Sequence, residues 1–210
     1  PVFDYKHTQM TPLGAQELLL DSRENSAHHP LPFLIIATEL GTWDDVTSNQ
    51  LETWFKLHKA RYDETGELVA LADFNLPAAP WYGRGTIRDD QGQAWSSQTM
   101  NNNRLPFERS MLFTSKSAWL MSSLFEQDAY GQQLFEAAST LVNPRNGFME
   151  GVFMSGKANR TISLNTNALI LEALWLRARS GKSFINIARL YPDSNSDEDA
   201  AIRPVFVRRF

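Results

Sequence analysis

The sequence predicts an all-α fold made of two concentric layers of antiparallel helices, and three observations carry that prediction. Segments apolar on nearly every side, at 31–40, 111–125 and 168–176, alternate with amphipathic segments that keep one polar face. Each longer loop falls on the passage from an exposed helix to a buried one. Inner helices that touch neighbours all round, and outer helices that touch only inward, produce that order and gather the long loops on one face.

Thr11-Pro12 caps and opens a helix over 13–23, with Leu18, Leu19 and Leu20 as its apolar part. A polar loop with His28 and His29 leads into Leu31–Leu40, apolar almost throughout and stopped by Gly41. Asp44 or Asp45 starts the next helix, where Leu51, Trp54, Phe55, His58 and Tyr62 share a stripe and Glu52, Lys56, Lys59 and Arg61 face away. From Gly66 to Pro106 the chain is rich in Gly, Pro and Asn, with extended pieces at 68–72 and 85–88 and a turn at 89–92. A loop so much longer than the usual ~12–15 residues is functional or folds on itself. Residues 111–125 form a buried helix, Asp128 caps an amphipathic one, and a loop over 143–160 reaches the last buried helix. Ser163, Asn165, Thr166 and Asn167 are all types that cap its start, and Gly181 marks its stop. Gly66 and Gly147 each end an amphipathic helix and lead into extended chain, a weak internal repeat that fits a hairpin scheme.

Composition narrows the function classes. With 210 residues and 42% hydrophobic content the chain can bury a sizeable core. A net charge of −4 excludes a globally basic surface, so no nucleic-acid partner is expected. The absence of cysteine rules out disulfides and thiolate metal sites. No transmembrane segment is expected in this piece, and its start at Pro1 reads as a trimmed chain.

Thr114-Ser-Lys-Ser-Ala118, the run from Asn143 through Asn146-Gly147-Phe148-Met149-Glu150-Gly151 to Phe153, and Leu164-Asn165-Thr166-Asn167-Ala168 are similar to a bacterial glucoamylase-like domain family, the match extending over roughly 30–182. The family resembles the six-hairpin (α/α) toroid glycosidases and accompanies exopolysaccharide synthesis and export. The resemblance implies a partial (α/α) toroid of about three of six hairpins, the C-terminal half of a domain over residues 1–182. Residues 183–210 would form a tail with a possible docking segment at 205–210. It also implies a periplasmic or cell-envelope location and a polysaccharide or oligosaccharide as partner. The toroid would be completed by a missing N-terminal half or a second chain, and envelope polysaccharide-synthesis proteins would be further partners. The chain departs from the family pattern at Glu150 and at Phe74-Asn75.

Glycoside hydrolysis needs a proton donor and a second carboxylate on opposite sides of the sugar. The acids on the long loops are Glu67, Asp73, Asp89, Asp90, Glu108 and Glu150. Asp73, in an apolar setting with Trp81 and Tyr82 nearby to stack on a ring, is the first catalytic candidate, and Glu150, flanked by Phe148 and Phe153, the second. Candidate substrate-binding residues are Trp81, Tyr82, Phe148, Asn165, Asn167 and Lys116. Lys116 sits in an apolar helix and requires a carboxylate partner. Glu39 and Glu172, inside buried helices, are read as structural. The four histidines lack metal-ligand spacing and no phosphate-binding glycine motif occurs, so neither a metal nor a cofactor is expected. The leading expectation is a polysaccharide-acting envelope protein with glycosidase chemistry; the alternative is a non-catalytic glycan-binding or scaffold module.

Overall fold

Helices are only part of the architecture. The computed structural model describes residues 5–8, 18–21, 30–41, 45–88 and 94–185. In chain order these form β1 (Tyr5–Thr8), β2 (Leu18–Asp21), α1 (Leu31–Leu40), α2 (Asp45–Thr65), β3 (Asp73–Asn75), β4 (Tyr82–Arg88) and β5 (Ala94–Gln98). A 3₁₀ turn (Phe107–Arg109), β6 (Met111–Thr114), α3 (Ser115–Leu124), α4 (Ala129–Ser139), β7 (Val142–Asn143) and β8 (Gly147–Phe148) follow, then β9 (Gly151–Phe153), β10 (Ala158–Asn159) and α5 (Leu164–Ala178). The strands form antiparallel sheets ordered β3-β4-β5 and β10-β9-β6, and the pairs β1-β2 and β7-β8.

This mixed α/β structure overturns the all-α partial toroid. The long Gly-, Pro- and Asn-rich stretch does fold on itself, but as a three-stranded sheet. The segment 111–125 divides into a strand and a helix, because Met111–Thr114 finds ladder partners in β9 that no helical turn supplies. Leu18–Asp21 is strand where helix was expected. The last helix is also not enclosed: Leu164 and Leu171 are 87% and 62% exposed, so an apolar composition on every side did not secure burial on every side. The turn at 89–92, His28, His29 and the docking segment at 205–210 lie outside the described residues.

α1, α2, α4 and α5 form where patterning places them. Along α2, Leu51, Trp54, Phe55 and His58 are buried on one stripe. Asp128 accepts the Tyr130 N–H at the start of α4, and Ser163 accepts the Thr166 N–H at the start of α5. α1 through α5 surround one core that includes Leu34, Trp54, Leu71, Leu120 and Ile170. A smaller one, of Phe74, Leu76, Leu105 and Met111, lies under β3.

Residues 69–72 connect these layers and determine where β3 begins. His58 Nε2 accepts the Leu71 N–H at 3.2 Å while its Nδ1 bonds the Trp54 carbonyl at 2.7 Å. Both contacts suit one neutral tautomer, and burial lowers the His58 pKa to about 4. The Tyr130 hydroxyl donates to the Val69 carbonyl at 2.5 Å, and burial raises its pKa well above the usual phenol value. Ala70 is bracketed by β6, its N–H on Leu112 and its carbonyl accepting from the Thr114 N–H and hydroxyl. Ser97 then joins the two larger sheets, donating to the Met111 carbonyl and accepting the Met111 N–H.

Candidate functional site

On β3 the alternation polar, apolar, polar sends Phe74 into the core and leaves Asp73 and Asn75 on the other face. Register sets Tyr82 opposite Asn75 and Arg84 opposite Asp73 on β4. Lys116, in the first turn of α3, reaches Asp73 on this face. Its Nζ is 2.8 Å from Asp73 Oδ1 and donates to Asn165 Oδ1 at 2.9 Å. The Tyr82 hydroxyl donates to Asp73 Oδ2. The Lys116 side chain is 1% exposed and that of Asp73 16%, so an enclosed cation holds a carboxylate that still meets solvent. Asp73, Tyr82, Lys116 and Asn165, distant in sequence, thus form one cluster joining β3, β4, α3 and the mouth of α5.

Trp81 precedes β4 and stands 63% exposed with a φ of +67°. Its carbonyl accepts the Leu76 N–H and its own N–H donates to the Ala78 carbonyl, which fixes the turn that carries it. Its ring is therefore presented to solvent, one residue before Tyr82 in the chain.

Glu150 has a different environment. It is fully buried, and its carboxylate accepts from the Asn75 N–H (3.0 Å), Asn75 Nδ2 (3.2 Å), Ser163 Oγ (2.5 Å) and Thr166 Oγ1 (2.9 Å). Its backbone N–H donates to Thr161 and its carbonyl accepts from Ser115. Four neutral donors around one carboxylate satisfy it without a cation, and they tie β3 to the first turn of α5. Asn159 extends the clasp, donating to the Asn75 carbonyl at 2.7 Å.

The remaining candidates are committed within the protein. Asn167 accepts the Phe148 N–H and donates to the carbonyls of Phe148 and Ser163. It approaches Gly147 so closely that a Cβ there would lie 2.4 Å from its Oδ1; with φ +104°, this position requires glycine. The Phe148 ring meets Trp119 edge-on, 5.5 Å between centroids. Glu67 pairs with Arg61. Burial, then the neighbouring Glu39, raises the pKa of Glu172. Asp89 and Asp90 lie outside the described residues. Among the described residues no three acids or histidines are grouped as metal ligands, and no helix is long and apolar enough to cross a membrane.

Sequence reasoning missed Asn75, Ser163 and Thr166 as the partners of Glu150. The period-2 pattern in Asp73-Phe74-Asn75 was the available signal for Asn75. Nothing local pointed to Ser163 and Thr166 as ligands of a carboxylate, since capping accounts for both residue types.

No curated protein and no solved structure matches the chain. A family model does, over residues 6–180, which takes in every residue of the cluster and of the clasp; the chain belongs to the DUF3131 family, proteins of unknown function.

Proposed function

We propose that this is a polysaccharide-acting protein of the bacterial cell envelope, and that the Asp73–Tyr82–Lys116–Asn165 cluster with Trp81 is where the glycan is held. One observation carries the reading: a carboxylate side chain that is 16% exposed and fixed by Lys116 and Tyr82 is linked through Tyr82 to an exposed tryptophan on a braced turn. The Asp73 side chain, partly exposed and oriented by Lys116 and Tyr82, supplies a carboxylate of the kind that suits sugar hydroxyls. The indole offers an apolar face of the size of a pyranose ring. The resemblance to glucoamylase-like proteins of exopolysaccharide systems supports the same ligand class and the envelope location. Polysaccharide-synthesis proteins are the corresponding partners.

Binding is favoured over hydrolysis. Asp73 is engaged by the Lys116 ammonium and the Tyr82 hydroxyl, while Glu150 is enclosed and held by four protein donors. Both features support a glycan-holding site over the paired acid and base that glycoside cleavage requires. Exopolysaccharide purified from the source organism, titrated calorimetrically and assayed in parallel for released reducing ends, tests this. Binding without turnover, weakened by about tenfold or more in Trp81→Ala, is the expected result. Turnover that disappears in Asp73→Asn would establish the hydrolase instead, and absence of both binding and turnover would remove the glycan reading.

A further inference from the structure

We infer that the glycan site continues from Trp81 onto Phe107, so that the ligand is an extended polymer spanning two aromatic platforms. This rests on the glycan reading of the Asp73 cluster. Phe107 opens the 3₁₀ turn and is 55% exposed. Two residues on, Arg109 donates from Nη1 to the Ala79 carbonyl at 2.5 Å and from Nη2 to the Ala78 carbonyl at 2.6 Å. The Ala78 carbonyl also accepts the Trp81 N–H at 3.1 Å. One oxygen is therefore shared by the Trp81 backbone and the Arg109 guanidinium, which locks the two aromatic-bearing turns together.

The Phe107 turn is braced on its other side as well. Ser110 Oγ donates to the carbonyls of Leu105 and Pro106, and the Ser110 carbonyl accepts the Met154 N–H from the end of β9. Both rings are thus exposed on backbone already held in place, and a ligand that stacks on them incurs little ordering cost. The Arg109 guanidinium and the Ala78 and Ala79 carbonyls that it binds join the two turns, so polar groups accompany both rings. A partner protein would favour a contiguous apolar patch. A chain of pyranose units, presenting C–H faces interrupted by hydroxyls, matches rings interrupted by polar groups. A monosaccharide reaching Asp73 has no need of Phe107, whereas a polymer crossing Trp81 continues onto it.

Purified exopolysaccharide, intact and as a short-oligosaccharide fraction from partial acid hydrolysis, is titrated against the wild-type protein and against Phe107→Ala, Phe107→Tyr and Trp81→Ala, with circular dichroism confirming the fold. The expected pattern is a polymer affinity above that of the short fraction. Phe107→Ala lowers only the polymer affinity, by about tenfold, Phe107→Tyr retains it, and Trp81→Ala weakens both ligands. Wild-type polymer affinity in Phe107→Ala, or equal weakening on both ligands, overturns the second platform while the Asp73 site stands. No binding of either ligand by the wild-type protein overturns the site and the platform together.

Discussion

Asp73 and Glu150 are the same chemical group in two contrasting settings, joined through Asn75. Asp73 meets a buried ammonium and remains 16% exposed; Glu150 is fully buried among four neutral donors. In sequence both appear as acids among aromatic and aliphatic neighbours. The difference teaches that apolar sequence context does not decide whether an acid is presented or enclosed. What decides is which donors the fold brings to it. Lys116 from α3 and Tyr82 from β4 leave the Asp73 side chain partly exposed, whereas donors from β3 and the start of α5 enclose Glu150.

That contrast makes graded predictions. Asp73→Ala strands Lys116 in the interior without its counter-charge and should cost about 3–5 kcal/mol in denaturant unfolding. Adding Lys116→Met should recover much of it, and simple additivity of the two would show that the pair does not act as a unit. Acid has its own effect through His58, which must be separated from the carboxylates. Its folded pKa of about 4 lies below the unfolded 6.5, so the unfolded chain takes up the proton first as pH falls. The stabilisation is complete above pH 6.5 and is lost progressively toward pH 4, about 3 kcal/mol in all. Urea midpoints measured across that window should slope downward toward acid, and a flat profile would contradict the neutral, enclosed ring.

Glu150→Gln replaces one acceptor oxygen with a donor facing other donors and should cost about 1–3 kcal/mol, less than Asp73→Ala. A loss as large as that of Asp73→Ala would mean that the clasp, not the ion pair, dominates this end of the molecule. Smallest is Ser163→Ala, which removes the α5 cap and one of the four donors, at about 1 kcal/mol in thermal or chemical unfolding.

Much of the helical framework was legible. α1 follows its apolar run to Gly41, α2 its stripe, and α4 and α5 their capping residues. The sheets were not, because their strands are short, three of them lie in a Gly- and Pro-rich stretch, and their pairing depends on partners far along the chain. Met111–Thr114 is apolar enough for either period, and only β9 selects strand. At the candidate site, the need of Lys116 for an acid was readable from its apolar helix, but Asp73 as that acid was not.

The sequence by itself determined α1, α2, α4 and α5, the caps of the last two and the acids and aromatics available, since these depend on residue chemistry and spacing within a few turns. Tertiary structure decided the mixed α/β layering, the assignment of Lys116 to Asp73, the enclosure of Glu150 and the outward presentation of Trp81 and Phe107. Each of those depends on donors and surfaces supplied by distant segments, which local periodicity does not encode.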